Sequence, residues 1–264
     1  MSKPVLVFDM DGVLVDVAES YRETIARTAE HFTGVAVTRT EIQEYKNQGG
    51  WNDDWRLTHH IVASAGVDVP FEAVQAQFQR LFLGNGTDGL ILRERWVARA
   101  GVLEKLNEKF GFAIFTGRPR EEAQLTLTRF APGLIFDPLI AMEDVENHKP
   151  APDGLLRILW GGAPGPRPTP SSASGRWPAG GPAADQGVRP TQAVTPAVTD
   201  ADSKLFYIGD TVDDARCARA AKVPFIGIAA PSNPLYIDLV FLFQAEGACA
   251  IVDDINYLPE VFAS

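Results

Sequence analysis

Cysteine is nearly absent: Cys217 and Cys249 are the only two in 264 residues. They lack metal-ligand spacing, so neither a disulfide framework nor a cysteine metal site is expected, and each reads as a small core residue. No apolar stretch reaches the roughly 18 residues of a membrane span. The N-terminal Met-Ser-Lys-Pro leads straight into a strand pattern with no signal peptide. A reduced, cytoplasmic setting is expected, with no membrane contact. A basic field is missing too: 24 Lys and Arg face 34 Asp and Glu, a net charge of −10. Nucleic acid and anionic membrane surfaces are therefore not expected partners. A small anionic substrate is not excluded, because a metal and one or two Lys or Arg can reverse the local potential. Histidine offers no metal spacing either. His59 and His60 fall mid-helix as surface or packing residues, and His148 reads as structural.

Composition is otherwise ordinary for a soluble globular protein, with 45% hydrophobic and 22% charged residues. The length suits one core carrying an insertion or a second small domain. Val5 to Phe8 is a short apolar run of the kind that forms a buried parallel strand, and Asp9, Asp11 and Gly12 follow it at once. Two acids at a strand tip are costly unless a cation or hydrogen bonds compensate. Taken alone, they read either as a polar turn or as a carboxylate nucleophile beside a metal with a second carboxylate as acid/base.

After Asp16 the period changes. Val17, Tyr21, Ile25, Ala29 and Phe32 mark an amphipathic helix. Thr38 with Glu41 forms a capping box for a second helix through Tyr45. A third helix is expected from Asp53 to Ala65, stopped by Gly66. A fourth has Pro70 in its first turn and Phe71, Val74, Phe78, Leu81 and Phe82 on one face. Residues 17–90 thus form an all-helical unit. Beyond it, strands at Phe112–Phe115, Leu139–Ala141, Leu205–Ile208, Pro224–Ile228 and Cys249–Val252 alternate with helices at 102–109 (Gly111 as its cap), 121–130, 152–159 and 214–221. That alternation predicts an α/β fold with a doubly wound, Rossmann-like parallel sheet. Residues 161–200 hold eight of the 19 prolines, seven of the 23 glycines and one large aromatic, Trp177. Such a stretch buries too little apolar surface to offset its ordering entropy, so it reads as a disordered, dispensable insertion. The core is then 1–16, 91–160 and 201–264.

Four strand ends carry polar groups in order: Asp9 and Asp11; Thr116-Gly117-Arg118; the loop with Lys149-Pro150; and Gly209-Asp210-Thr211-Val212-Asp213-Asp214. In a parallel sheet with right-handed crossovers these ends share one edge and can converge. On these four motifs, the chain resembles the haloacid dehalogenase (HAD) superfamily, subfamily I with a helical C1-type cap. It is similar to the phosphoglycolate-phosphatase-like enzymes. The resemblance covers nearly all of 1–160 and 204–264; the departure is the insertion, where relatives usually have a short loop.

The resemblance implies an Mg²⁺-dependent phosphoric monoester hydrolase acting on a small phosphorylated metabolite. Asp9 would attack phosphorus to form an aspartyl-phosphate, and Asp11 would serve as acid and then base. Mg²⁺ would bind Asp9, the main-chain carbonyl of Asp11, and Asp210. Asp214 would orient the surrounding waters; Asp213 either supplements Asp210 or caps the following helix. Thr116 and the Gly117 amide would bind phosphate oxygens, and Lys149 would offset charge on Asp9 and the phosphoryl group. An aspartate at position 11 favours phosphate chemistry over halide displacement or phosphonate cleavage, and a phosphomutase or a catalytically silent interaction protein are the alternatives. The part of the substrate beyond its phosphate would meet Lys46, Asn47, Trp51, Asn52 and Asp53 of the cap loop. Trp51 either covers an apolar or ring portion of the substrate or anchors the cap's own core; Trp55 reads as such an anchor. Arg118 either reaches a substrate anion or pairs with a surface acid. Phosphoglycolate, sugar phosphates and amino-alcohol phosphates all fit this pattern, and the sequence leaves oligomeric state unread.

Overall fold

A computed structural model describes residues 3–161 and 204–263. Apart from Gly161, the stretch 161–200 read as an insertion lies outside the described residues. The apolar run Val5–Phe8 forms β1. The chain then turns on Gly12 (φ +71), where a Cβ would overlap the Asp210 carboxylate, so both conformation and space call for glycine. A two-residue ribbon follows: β2 (Val15–Asp16) pairs antiparallel with β3 (Arg95–Trp96).

Four helices lie between these two strands: α1 (Tyr21–Thr33), α2 (Arg39–Gln48), α3 (Asp54–Ser64) and α4 (Phe71–Leu83). The Thr38–Glu41 capping box opens α2. Asp53 stands outside α3 as its cap, accepting the amides of Trp55 and Arg56 at 3.0 and 3.1 Å. Pro70 likewise precedes the first turn of α4. The 3.6-residue stripe Val74, Phe78 and Phe82 is fully buried, and each Phe contributes roughly 1.5–3 kcal/mol by leaving water.

The remaining elements are α5 (Val102–Lys109), β4 (Gly111–Phe115), α6 (Arg120–Phe130), β5 (Leu139–Ile140), α7 (Asp153–Trp160), β6 (Leu205–Gly209), α8 (Val212–Ala221), β7 (Phe225–Ile228), α9 (Tyr236–Ala245), β8 (Ala250–Val252) and α10 (Leu258–Val261). Gly111, expected to cap α5, instead begins β4, and Phe110 closes the helix. The helices α9 and α10 and the β2–β3 ribbon lie outside the elements that the sequence pattern predicts. Among the described residues no helix is long and apolar enough to cross a membrane.

The six long-range strands pair in parallel in the order β5-β4-β1-β6-β7-β8, the doubly wound α/β sheet expected. β1 is central, with Phe8 level with Ile114 on one side and Ile208 on the other. Strand order reverses at β1, which opens a crevice beyond its carboxyl end. Side chains alternate between two cores. Leu6, Phe8, Ile114 and Ile208 pack on the face whose core continues into Tyr21, Ile25, Phe78 and Phe82 of the helical insert. Val7, Phe115, Tyr207 and Phe225 pack on the other.

Candidate active site

The register sets the geometry. Because Phe8 is level with Ile114 and Ile208, Asp9, one residue out, and Thr116 and Asp210, two residues out, emerge at one edge. Asp9 is buried, and its amide donates to the Ile208 carbonyl at 2.8 Å. The Lys149 ammonium, itself buried, lies 3.0 Å from Asp9 Oδ1 and 2.8 Å from Asp214 Oδ1, over the rings of Phe115 and Tyr207. Burial works against the Lys149 charge, but Asp214 and Asp9 more than offset it and hold its pKa above the usual lysine value. Burial outweighs Lys149 at Asp9 and raises that carboxyl, as do the charges of Asp214 and Asp11.

Asp9, Asp210 and Asp214 each offer an oxygen, and these lie within 4.8 Å of one another. Asp214 is fully engaged. Its Oδ2 accepts from the Thr211 amide and hydroxyl at 3.0 and 2.6 Å, and its Oδ1 accepts from the Tyr207 hydroxyl at 2.7 Å beside Lys149. Despite burial, Lys149 and these hydrogen bonds keep its pKa lowered. Asp210 is the opposite case: its Oδ1 is buried without a hydrogen-bond partner, and burial with the nearby Asp214 and Asp9 pushes its carboxyl well up. Two oxygen-bearing groups, Asp9 and Asp210, thus suit a hard divalent cation, with Asp214 committed to holding Lys149.

Asp213 is not the cap of α8: Thr211 is, in a capping box with Asp214. Asp213, in the first turn, accepts the Gly50 amide at 2.8 and 2.9 Å, while Arg216 donates to the Gln48 carbonyl at 3.2 Å. The α2–α3 loop is thereby pinned to the start of α8.

On the other side of Asp9, the Thr116 hydroxyl accepts the Arg118 amide at 3.2 Å and keeps its proton to donate. Arg118 pairs with an acid, but not a surface one. Its buried guanidinium grips Asp11 Oδ1 through Nε, at 2.7 Å, and Nη2, and lies 2.8 Å from Glu94 Oε1. Nη1 donates to Thr126 at 2.9 Å, and the Tyr21 ring covers the plane at 4.8 Å. Burial raises the pKa of Glu94 against the pull of Arg118. Tyr21 donates to Glu122, which also accepts from Gln79 at 2.9 Å; burial raises this carboxyl too. Tyr21, Glu94, Glu122, Thr126 and Tyr207 carried no motif. Only the need of each buried polar group for a partner signals them.

Between insert and sheet lies a narrow cleft. Asn52 and Asp53 of the cap loop line it with Asp54 and Trp55, opposite Asp11, Gly117 and Arg118. A Cβ on Gly117 would overlap the Asn52 amide, so the loop lies directly on this turn. Lys46, Asn47 and Trp51 do not line it. Lys46 is buried against Asp54 and donates to the Trp51 carbonyl at 2.7 Å. Asn47 accepts from Gln43, and Trp51 packs on His60 and Tyr45. Of its two readings Trp51 takes the packing one, inside the cap, whereas Trp55, read as an anchor, lines the cleft.

A family model described as haloacid dehalogenase-like hydrolase matches residues 4–159. The chain is 40% identical over 168 residues to the imidazoleglycerol-phosphate dehydratase of Phytophthora nicotianae, over 60% of this chain but 37% of that protein. It therefore spans well under half of that relative. It is 25% identical over 154 residues to the fructose-1-phosphate phosphatase YqaB of Escherichia coli (strain K12), covering 57% of this chain and 76% of the other. In fold it is similar to a conserved haloacid dehalogenase-like protein of unknown function from Agrobacterium tumefaciens strain C58, with TM-score 0.62, 17% identity, and 99% and 98% of the two chains covered.

Proposed function

The chain belongs to the haloacid dehalogenase-like hydrolases, and we propose that it is an Mg²⁺-dependent phosphatase for small phosphate monoesters, with Asp9 as nucleophile. One observation carries this reading: the buried Asp9 carboxylate lies 3.0 Å from the Lys149 ammonium, with Asp210 within metal-sharing distance and Asp11 at the mouth of the adjoining cleft. A carboxylate approaches a phosphate dianion only where positive charge gathers around both. Bound Mg²⁺ would be held by Asp9, Asp210 and the Asp11 carbonyl, and would supply part of that charge.

The side chains divide the remaining work. An Asp9 oxygen bonds to phosphorus as the ester P–O bond breaks, and Asp11 gives its proton to the departing oxygen, so the alcohol leaves neutral. Water then attacks phosphorus and passes a proton to Asp11, and the Asp9–phosphorus bond breaks. Inorganic phosphate departs and both carboxyl groups return to their starting states. Arg118 grips one oxygen of Asp11, which leaves Oδ2 to carry the proton. Thr116 and the Gly117 amide donate to the phosphoryl oxygens, and Lys149 balances them.

Phosphate release from a panel of phosphomonoesters, with and without Mg²⁺, tests the proposal. Fructose 1-phosphate and imidazoleglycerol phosphate enter the panel because of the relatives' names. Turnover independent of Mg²⁺, or full activity in Asp9→Asn, would sink it. A phosphorylated product in place of free phosphate would indicate a mutase.

A further inference from the structure

The charges around the cleft bear on the alcohol half of the substrate, given that the site is a phosphatase. Three carboxyl groups line it, Asp11, Asp53 and Asp54, against one cation, Arg118. That guanidinium is already shared by Asp11 and Glu94 and has no exposed surface. The cations just behind are committed as well. Lys46 is paired with Asp54, Arg22 lies 3.9 Å from the same carboxylate, and Arg56 lies 3.3 Å from Asp53. A second anion on the substrate would find that Arg118, Lys46, Arg22 and Arg56, the cations at and just behind the cleft, each already lie within 4.0 Å of a carboxylate.

An acceptor, by contrast, is open. Lys46 and Arg22 take only Oδ1 of Asp54, and its second oxygen is left for a donor. Arg118 takes Oδ1 of Asp11, whose Oδ2 serves the leaving oxygen. Asn52, Trp55, Tyr21, Pro119 and Met142 line the rest of the cleft and add no positive charge.

We infer that the cleft selects phosphate monoesters whose alcohol portion carries hydrogen-bond donors, hydroxyl or ammonium, and no second negative charge. Like charge set into a partly buried site without a counter-ion is rejected, and specificity arises as much from that rejection as from attraction.

Four esters of similar size test this on the full-length chain with Mg²⁺: phosphoethanolamine and glycerol 1-phosphate against phosphoglycolate and 3-phosphoglycerate. The expected result is at least a tenfold higher kcat/KM for the first pair. Asp54→Asn, which frees Lys46, should narrow the gap about tenfold by raising turnover of the carboxylates. Asp53→Asn removes a charge while keeping a good helix cap, and should narrow it in the same direction if Asp54→Asn fails to fold. Equal or better turnover of phosphoglycolate by the unaltered protein would overturn the selectivity while leaving the phosphatase reading intact. No turnover of any of the four, nor of p-nitrophenyl phosphate, would overturn both.

Discussion

Replacing Lys149 by Met removes one charge and little volume, and the methionine stem can still pack on the rings of Phe115 and Tyr207 that the lysine crosses. What is lost is the cation between Asp9 and Asp214, at 3.0 and 2.8 Å. Deleting one partner of a buried ion pair costs about 3–5 kcal/mol, because the other charge is left uncompensated. Here two carboxylates are left. Total stabilities run to roughly 5–15 kcal/mol, and each kcal/mol moves Tm by about 2–4 °C in a chain of this size. Lys149→Met should therefore lower Tm by about 6–20 °C at pH 7.5 without metal. The sign of the pH dependence follows from Asp9. Burial already raises its carboxyl, and losing Lys149 raises it further, so the folded state holds a proton that the unfolded state releases. Stability of the variant then falls as pH climbs from the ordinary carboxylate value through the raised one, and the Tm deficit shrinks at pH 5.5. Thermal unfolding at both pH values measures this. The double variant with Asp9→Asn should recover at least about 1 kcal/mol relative to additivity. A Tm within about 2 °C of the unaltered protein at pH 7.5, with no steeper pH slope, would refute the reasoning.

Other outcomes follow from the same geometry. Glu122→Gln keeps an acceptor for Tyr21 and offers its amide to Gln79 Oε1, which is buried and unpaired. The raised Glu122 carboxyl loses favour as pH rises through its folded pKa, beside the charges of Arg118 and Asp11. The variant should match the parent near pH 5 and exceed it by about 1 kcal/mol at pH 8 in denaturant titrations. Gly49→Ala strains a φ of +81 and drives a Cβ into the Arg216 guanidinium. A stability loss of about 1–2 kcal/mol, with KM rising more than kcat falls, is expected from steady-state kinetics and unfolding. Mg²⁺ at 100 times its Kd should stabilise the chain by about 2.7 kcal/mol, and a shift of equal size in Asp210→Asn would remove that residue from the metal site. Excising residues 162–200 should leave kcat/KM within about twofold, measured against the full-length chain.

The sheet was legible because buried parallel strands are short apolar runs between turn signals, as at Val5–Phe8 and Leu205–Ile208. Four strand ends spaced along such a sheet must share an edge, so Asp9, Thr116, Lys149 and Asp210 could be grouped before any coordinates. The helix α9 escaped because Tyr236–Ala245 is apolar on nearly every side and carries no 3.6-residue signature; Ile237 and Phe241 remain exposed. Arg118 was recognised but not its partners, since Glu94 and Thr126 are brought to it by packing across the base of the cap. Asp213 misled for a related reason. An aspartate in the first turn of a helix reads as its cap, yet Thr211 holds that place and Asp213 serves a loop more than 160 positions away.

The β2–β3 ribbon is small, but it governs how the molecule can change over evolutionary time. Val15 faces Trp96 and Asp16 faces Arg95, so the chain leaves the catalytic half and re-enters it at neighbouring points. A segment with closely spaced ends that covers the core now met by Tyr21, Ile25, Phe78 and Phe82 can occupy that gap without altering the register of β1. On the proposed function, the chemistry at phosphorus and the choice of alcohol would then be heritable as separate modules. A graft of a foreign helical cap between Asp16 and Arg95 should transfer the donor's substrate preference while Asp9 continues to carry the reaction.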